Sequence, residues 1–190
     1  NLEKLIGTSV DTSAMNMPPT PLVMLPLGIF GALMAGLTVN AIFAMAEEIM
    51  WRGYLAQAFA GRPFCKKYVT IGVLWGLWHI PLIALGYNYG TANALPGSVL
   101  FIGFCVVMSL VLGFVVERTR SVWLAAVLHG TFNGFSQVML LLVVGGSSLL
   151  ASSAVGVVSL VAWLVIVATI AGLRAVTMKQ HSNVSAWQNS

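Results

Sequence analysis

The stretch VTIGVLWGLWHIPLIALGYNYGTANALPGSVLFIGFCVVMSLVLGFVV, residues 69–116, contains no Asp, Glu, Lys or Arg. About 20 apolar residues cross a bilayer as a helix, so this run holds two crossings on either side of the turn GYNYGTANALPGS. Residues 121–173 form a second charge-free run and hold two more, separated by GGSSLLASS. A fifth helix starts near Leu22 and continues through the acidic pair Glu47 and Glu48 to about Ala60, longer than one crossing, so that part of it must tilt, bend or lie at the interface. The remaining boundaries read as Val69–Leu85, with a kink at Pro81, Val99–Val116, Ser121–Val144 and a last helix ending at Arg174. The fold class is an all-α polytopic transmembrane helix bundle with about five spans.

Composition agrees with this reading. The 190 residues are 58% hydrophobic and 7% charged, against about a quarter charged in soluble domains. The net charge of +4 does not point to nucleic acid, because the cations sit in short turns. Arg62, Lys66 and Lys67 occupy one connection, Arg118 and Arg120 the next but one, and Arg174 and Lys179 follow the last helix. Cations concentrate in cytoplasmic loops, so these three connections are expected inside and the two uncharged ones outside. The first helix then enters from outside, which implies a preceding span. Residues 1–190 read as a single integral membrane domain, with a polar Pro-rich lead-in over 1–20 and a polar cytoplasmic tail over 175–190. Cys65 and Cys105 have no pairing or metal-ligand spacing, and nothing in the chain fixes an oligomeric state.

Against this background a few polar residues stand out. A charge at mid-bilayer costs roughly 2.5–3.5 kcal/mol on insertion scales, and such groups usually face the bundle interior and mark a site. In MAEEIMWRGY, residues 45–54, Glu48 and Arg52 are four apart and can pair, while Glu47 projects about 100° away without that partner. In LWGLWHIPL, Trp75 and His79 share a helix face; in AVLHGTFNG, His129 and Asn133 share another. With cationic turns taken as the cytoplasmic ends, both histidines lie about 12–15 Å deep, and the acidic pair can reach that level.

A carboxylate beside an imidazole can hold and deprotonate a water. A second His with an Asn can donate hydrogen bonds to the oxyanion formed when that water attacks an amide. The set suits peptide-bond hydrolysis without a Ser, Cys or Thr nucleophile, Glu47 and His79 activating water and His129 and Asn133 stabilising the intermediate. Each histidine taken singly reads equally well as an interhelical hydrogen bond. Glu48 with Arg52 reads as a supporting ion pair, Trp51, Trp75 and Trp78 as packing, Glu117 as an interfacial charge and His181 as a solvated tail residue.

These residues resemble a known family. EEIMWR is similar to the E-E-x-x-x-R motif of the CPBP, or ABI, intramembrane proteases, which include the type II CAAX prenyl endopeptidases. Trp75 to His79 matches the aromatic-x-x-x-His motif, with Trp where Phe is common, and His129 to Asn133 matches His-x-x-x-Asn. The resemblance covers about residues 40–135. It implies a glutamate-dependent intramembrane endopeptidase with Glu47, His79, His129 and Asn133 catalytic and Glu48, Arg52 and Trp75 supporting. It further implies a peptide or protein substrate in or at the membrane, lipid-linked in eukaryotic relatives and entering from the cytoplasmic side. The compact form of the chain suggests a bacterial cytoplasmic membrane.

No cofactor is expected. A Glu/His/His cluster could hold zinc, but no H-E-x-x-H helix is present and a metal-free mechanism is preferred. Two readings from other classes stay open. One is a non-catalytic membrane protein, such as an immunity or scaffold protein, that binds a peptide in the same pocket. The other is a small proton-relaying transporter, which leaves His129 with Asn133 unexplained and lacks the usual internal repeat.

Overall fold

The computed structural model describes the backbone of residues 21–142 and 148–188, all of whose regular elements are helical. Helix α1 spans Pro21–Leu37 and α2 spans Val39–Glu48. The chain then passes without a break into a π-helical segment, Ile49–Leu55, and a last α turn, Ala56–Ala58. Helix α3 is Phe64–Ala84 and α4 is Ala94–Thr119, preceded by a 3₁₀ turn at Thr91–Asn93. Helix α5 is Val122–Leu142, α6 the short Leu149–Ser152, and α7 Val157–Gln188. The segment from 175, read from sequence as a polar tail, continues the helix of α7. The expected lead-in over 1–20 lies outside the described residues.

The first long helix is therefore two. Thr38 leaves helical geometry and returns its hydroxyl to the Met34 carbonyl at 2.6 Å, and α1 and α2 diverge by 46° across it. No proline marks the break. Its reason is tertiary, because both halves pack on α5: a Cβ on Gly134 would lie 2.5 Å from the Ala32 carbonyl of α1, and one on Gly130 would lie 2.5 Å from the Ala41 nitrogen of α2. A straight rod could not follow α5 in this way.

Helix α3 docks on α4 by the same device. A Cβ on Gly76 would come within 2.6 Å of the Ile102 Cα, and one on Gly72 within 2.4 Å of the Val106 Cα. Apolar lipid offers no hydrophobic drive for helix association, so close backbone approach through small residues supplies the packing attraction. Large side chains such as Phe30, Ile42, Phe43, Leu95, Val99 and Val158 remain outward, as lipid-facing positions should. Between these seams lies a buried cluster that includes Tyr68, Ile71, Trp75, Phe101, Phe104, Met108 and Leu112. At the cationic end Lys67 donates to Glu117 at 2.6 Å, tying the start of α3 to the end of α4. Glu117 is thus an interhelical partner rather than only an interfacial charge.

The helical membrane bundle agrees with the sequence reading. Among the described residues three segments are long and apolar enough to cross a membrane: Phe64–Ala84, Thr91–Thr119 and Leu149–Gly172. The bent pair Met24–Leu37 and Val39–Ala58 makes a fourth if it counts as one span. Helix α5 carries the polar residues His129, Asn133, Ser136 and Gln137. Helix α3 begins at Phe64, five residues before the expected start.

The glycine seam gives a direct test. Gly130→Ala forces α2 and α5 apart and should destabilise the protein by about 1–3 kcal/mol. Gly31→Ala, at a helical position whose added Cβ meets nothing within 4 Å, should be neutral or slightly stabilising. Thermal unfolding of both variants in one detergent checks the contrast.

Candidate active site

Glu47 and Glu48 come at the end of α2, where the helix widens into the π segment. Such π turns frequently accompany functional sites. The two carboxylates face different surroundings. Glu48 is fully buried; its Oε1 accepts from Arg52 Nη1 at 2.9 Å and from His129 Nδ1 at 3.0 Å. Glu47 is only partly buried, lines a cavity, and accepts at Oε2 from the Trp75 indole N–H at 2.7 Å.

The cavity has a volume of about 380 Å³. Trp75, His79, His129 and Asn133 line it with Glu47, so residues of α2, α3 and α5 meet at one space. Phe101, Phe104, Met108 and Phe132 supply an apolar wall, and Ser136 and Gln137 extend the polar face of α5. Tyr87, Asn88, Leu149 and Ser153–Val155 complete it. These last residues belong to the two uncharged connections, and none of the cation-bearing turns contributes. The described wall therefore draws on the uncharged connections. Tyr89 pins this rim, its buried hydroxyl donating to the Val155 carbonyl at 2.7 Å.

Hydrogen bonding fixes how each imidazole is presented. His79 Nδ1 lies 3.0 Å from the Trp75 carbonyl. A carbonyl only accepts, so Nδ1 holds the proton and Nε2 keeps the lone pair. His129 Nδ1 donates to the buried Glu48 carboxylate. The two rings thus differ in what holds them, a main-chain carbonyl for His79 and a carboxylate for His129.

The residues read from sequence as catalytic or supporting gather here. Glu47, Trp75, His79, His129 and Asn133 line the cavity, while Glu48 and Arg52 lie buried beneath it. Two contacts were not legible in the spacing. Glu48 is the partner of His129 as well as of Arg52, and Trp75 is the hydrogen-bond donor that Glu47 seemed to lack. The indole does sit edge-on to His79, centroids 6.2 Å apart, but it is nearer His129 at 5.1 Å. Tyr87 and Asn88 were also missed; their turn gave no signal beyond its lack of charge.

A family model described as type II CAAX prenyl endopeptidase Rce1-like matches residues 28–135, more than half of the chain. The chain belongs to this family. The matched stretch contains Glu47, Glu48, Arg52, Trp75, His79, His129 and Asn133. A CAAX prenyl protease 2 from Methanococcus maripaludis is 28% identical over 95 residues, covering 47% of this chain and 35% of that protein. The chain thus spans about a third of the length of the curated relative it matches. No solved structure matches it. Family membership together with the apolar helices makes this Rce1-like chain an integral membrane protein.

The buried pair carries a prediction. Arg52→Leu leaves Glu48 without its cation and should cost about 3–5 kcal/mol, seen as lost yield and a lower unfolding midpoint in detergent. Glu48→Leu combined with Arg52→Leu removes both charges and should recover much of the yield.

Proposed function

We propose that the chain is an intramembrane endopeptidase that hydrolyses a peptide bond by glutamate- and histidine-activated water. The observation that carries this reading is the convergence of Glu47, His79, His129 and Asn133 on one cavity from three helices. In the proposed step, water binds between the Glu47 carboxylate and the Nε2 lone pair of His79. Glu47 accepts its proton as the oxygen attacks the substrate carbonyl carbon. His129 Nε2–H and the Asn133 amide donate to the oxyanion, a kind of stabilisation commonly worth a few kcal/mol. Collapse of the intermediate breaks the C–N bond, and the proton held by Glu47 passes to the leaving amine. The acid product and the amine then leave.

The partition between the adjacent carboxylates supports these roles. Glu47 reaches the cavity, whereas Glu48 is sealed below it and already bonded to Arg52 and His129. Among the described residues no group of three His, Cys, Asp or Glu side chains is arranged to hold a metal ion, and the proposed step is written without one.

The proposed substrate is a peptide or protein in or at the membrane, and the apolar wall of Phe101, Phe104, Met108 and Phe132 suits a lipid-linked or strongly apolar segment. The name of the archaeal relative points to prenylated substrates for that protein; for this chain they are the first to try. We place the protein in a bacterial cytoplasmic membrane, its cationic turns inside.

Glu47→Gln and His79→Ala should each lower cleavage by at least about a hundredfold while insertion and detergent stability persist. Comparative proteomics of membrane peptides, from cells bearing the wild type or Glu47→Gln, supplies the substrate for that assay. Wild-type turnover by purified Glu47→Gln defeats the mechanism, and substrate binding without turnover by the wild type leaves a peptide-binding protein instead. Chelation should leave activity intact; loss reversed specifically by zinc overturns the metal-free scheme.

A further inference from the structure

We infer that Trp75 is a positioning residue whose indole N–H clamps the Glu47 carboxylate, and that Arg52 ties this clamp to the Glu48–His129 pair. The inference rests on the proposed role of Glu47 and adds how the carboxylate is held. A glutamate side chain has three rotatable bonds, and the carboxylate of a partly exposed one swings between orientations. A donor 2.7 Å from Oε2 restricts that motion and leaves the other oxygen to face water. The donor itself is fixed, since Trp75 is 3% exposed and its backbone carbonyl accepts from His79 Nδ1. One residue therefore orients both members of the water-activating pair, Glu47 through its side chain and His79 through its main chain.

Arg52 extends the arrangement. Its guanidinium carbon lies 4.5 Å from the Trp75 ring centroid, over the ring. A cation there is attracted to the π face and polarises the indole, which makes the N–H a better donor. The same guanidinium donates to Glu48, which accepts from His129. Arg52 Nε and Nη2 are buried without a hydrogen-bond partner among the described residues, so the ring face is a principal contact for that side of the group. Glu47, Trp75, Arg52, Glu48 and His129 form one continuous network, and the water-activating and oxyanion halves are held in register through it.

Phenylalanine at position 75 would keep a ring but supply no N–H. The test uses full-length protein with ¹⁵N-labelled tryptophan in lipid nanodiscs, where the Trp75 indole resonance is the one absent from Trp75→Phe. If that variant fails to fold, replacing the other five of the six tryptophans in turn assigns the resonance by elimination. The clamp requires this resonance to lie downfield and to move upfield in Glu47→Ala, with the other indole resonances unchanged. An unmoved Trp75 resonance overturns it. With an internally quenched farnesylated CAAX peptide as probe, Trp75→Phe should lower kcat about tenfold, equivalent to one charge-assisted hydrogen bond, with KM within about twofold. Wild-type kcat in Trp75→Phe also overturns the clamp. The two readings separate cleanly: undiminished turnover by Glu47→Gln sinks the catalytic proposal, whereas inactive Glu47→Gln with an indifferent Trp75 sinks only the clamp.

Discussion

Glu48 is a fully buried carboxylate whose Oε1 takes hydrogen bonds from two separate elements, Arg52 on its own π turn and His129 across on α5. An isolated ionised carboxylate is too costly to leave in an apolar interior. Once the chain has placed it there, the geometry of its partners is no longer free. Arg52 must turn inward, and α5 must present His129 at that level. The cavity above inherits its shape from this pair: Glu47, one residue earlier on the same helix, projects to the side that remains accessible.

The rest of the bundle makes that placement possible through close approach rather than bulk. Gly130 sits beside His129, and Gly134 beside Asn133. Along α5, then, polar groups facing the cavity alternate with glycines against the backbones of α2 and α1. Helix α3 repeats the pattern, with Gly76 against α4 between Trp75 and His79. In each case the small residue brings the helix close enough for its functional neighbour to reach the shared space. The same economy explains why α1 and α2 bend at Thr38, since each half has its own glycine to meet.

How much of this was legible beforehand varied with the physics involved. Charge-free runs mark membrane helices because desolvating a charge is expensive wherever it occurs, and that signal is local to the sequence. The i,i+4 pairs were legible for the same reason, as helix geometry alone brings Glu48 to Arg52 and Trp75 to His79. Depth was not. His79 lies fifteen residues after Phe64, about 22 Å along the helix, whereas His129 lies only seven after Val122, about 10 Å. Counting from helix starts would separate them, yet both line one cavity.

The amino-acid order by itself determined the helical membrane class and the short set of polar residues worth watching, because both follow from the cost of placing charge in hydrocarbon and from a fixed helical repeat. It also determined that Glu47 and Glu48 cannot share one direction. Only the tertiary structure decided which of them meets the cavity and which is sealed beneath it. That choice depends on contacts between helices dozens of residues apart, Trp75 reaching Glu47 and His129 reaching Glu48. Such pairings join residues on different helices, and no periodicity within a single helix encodes them.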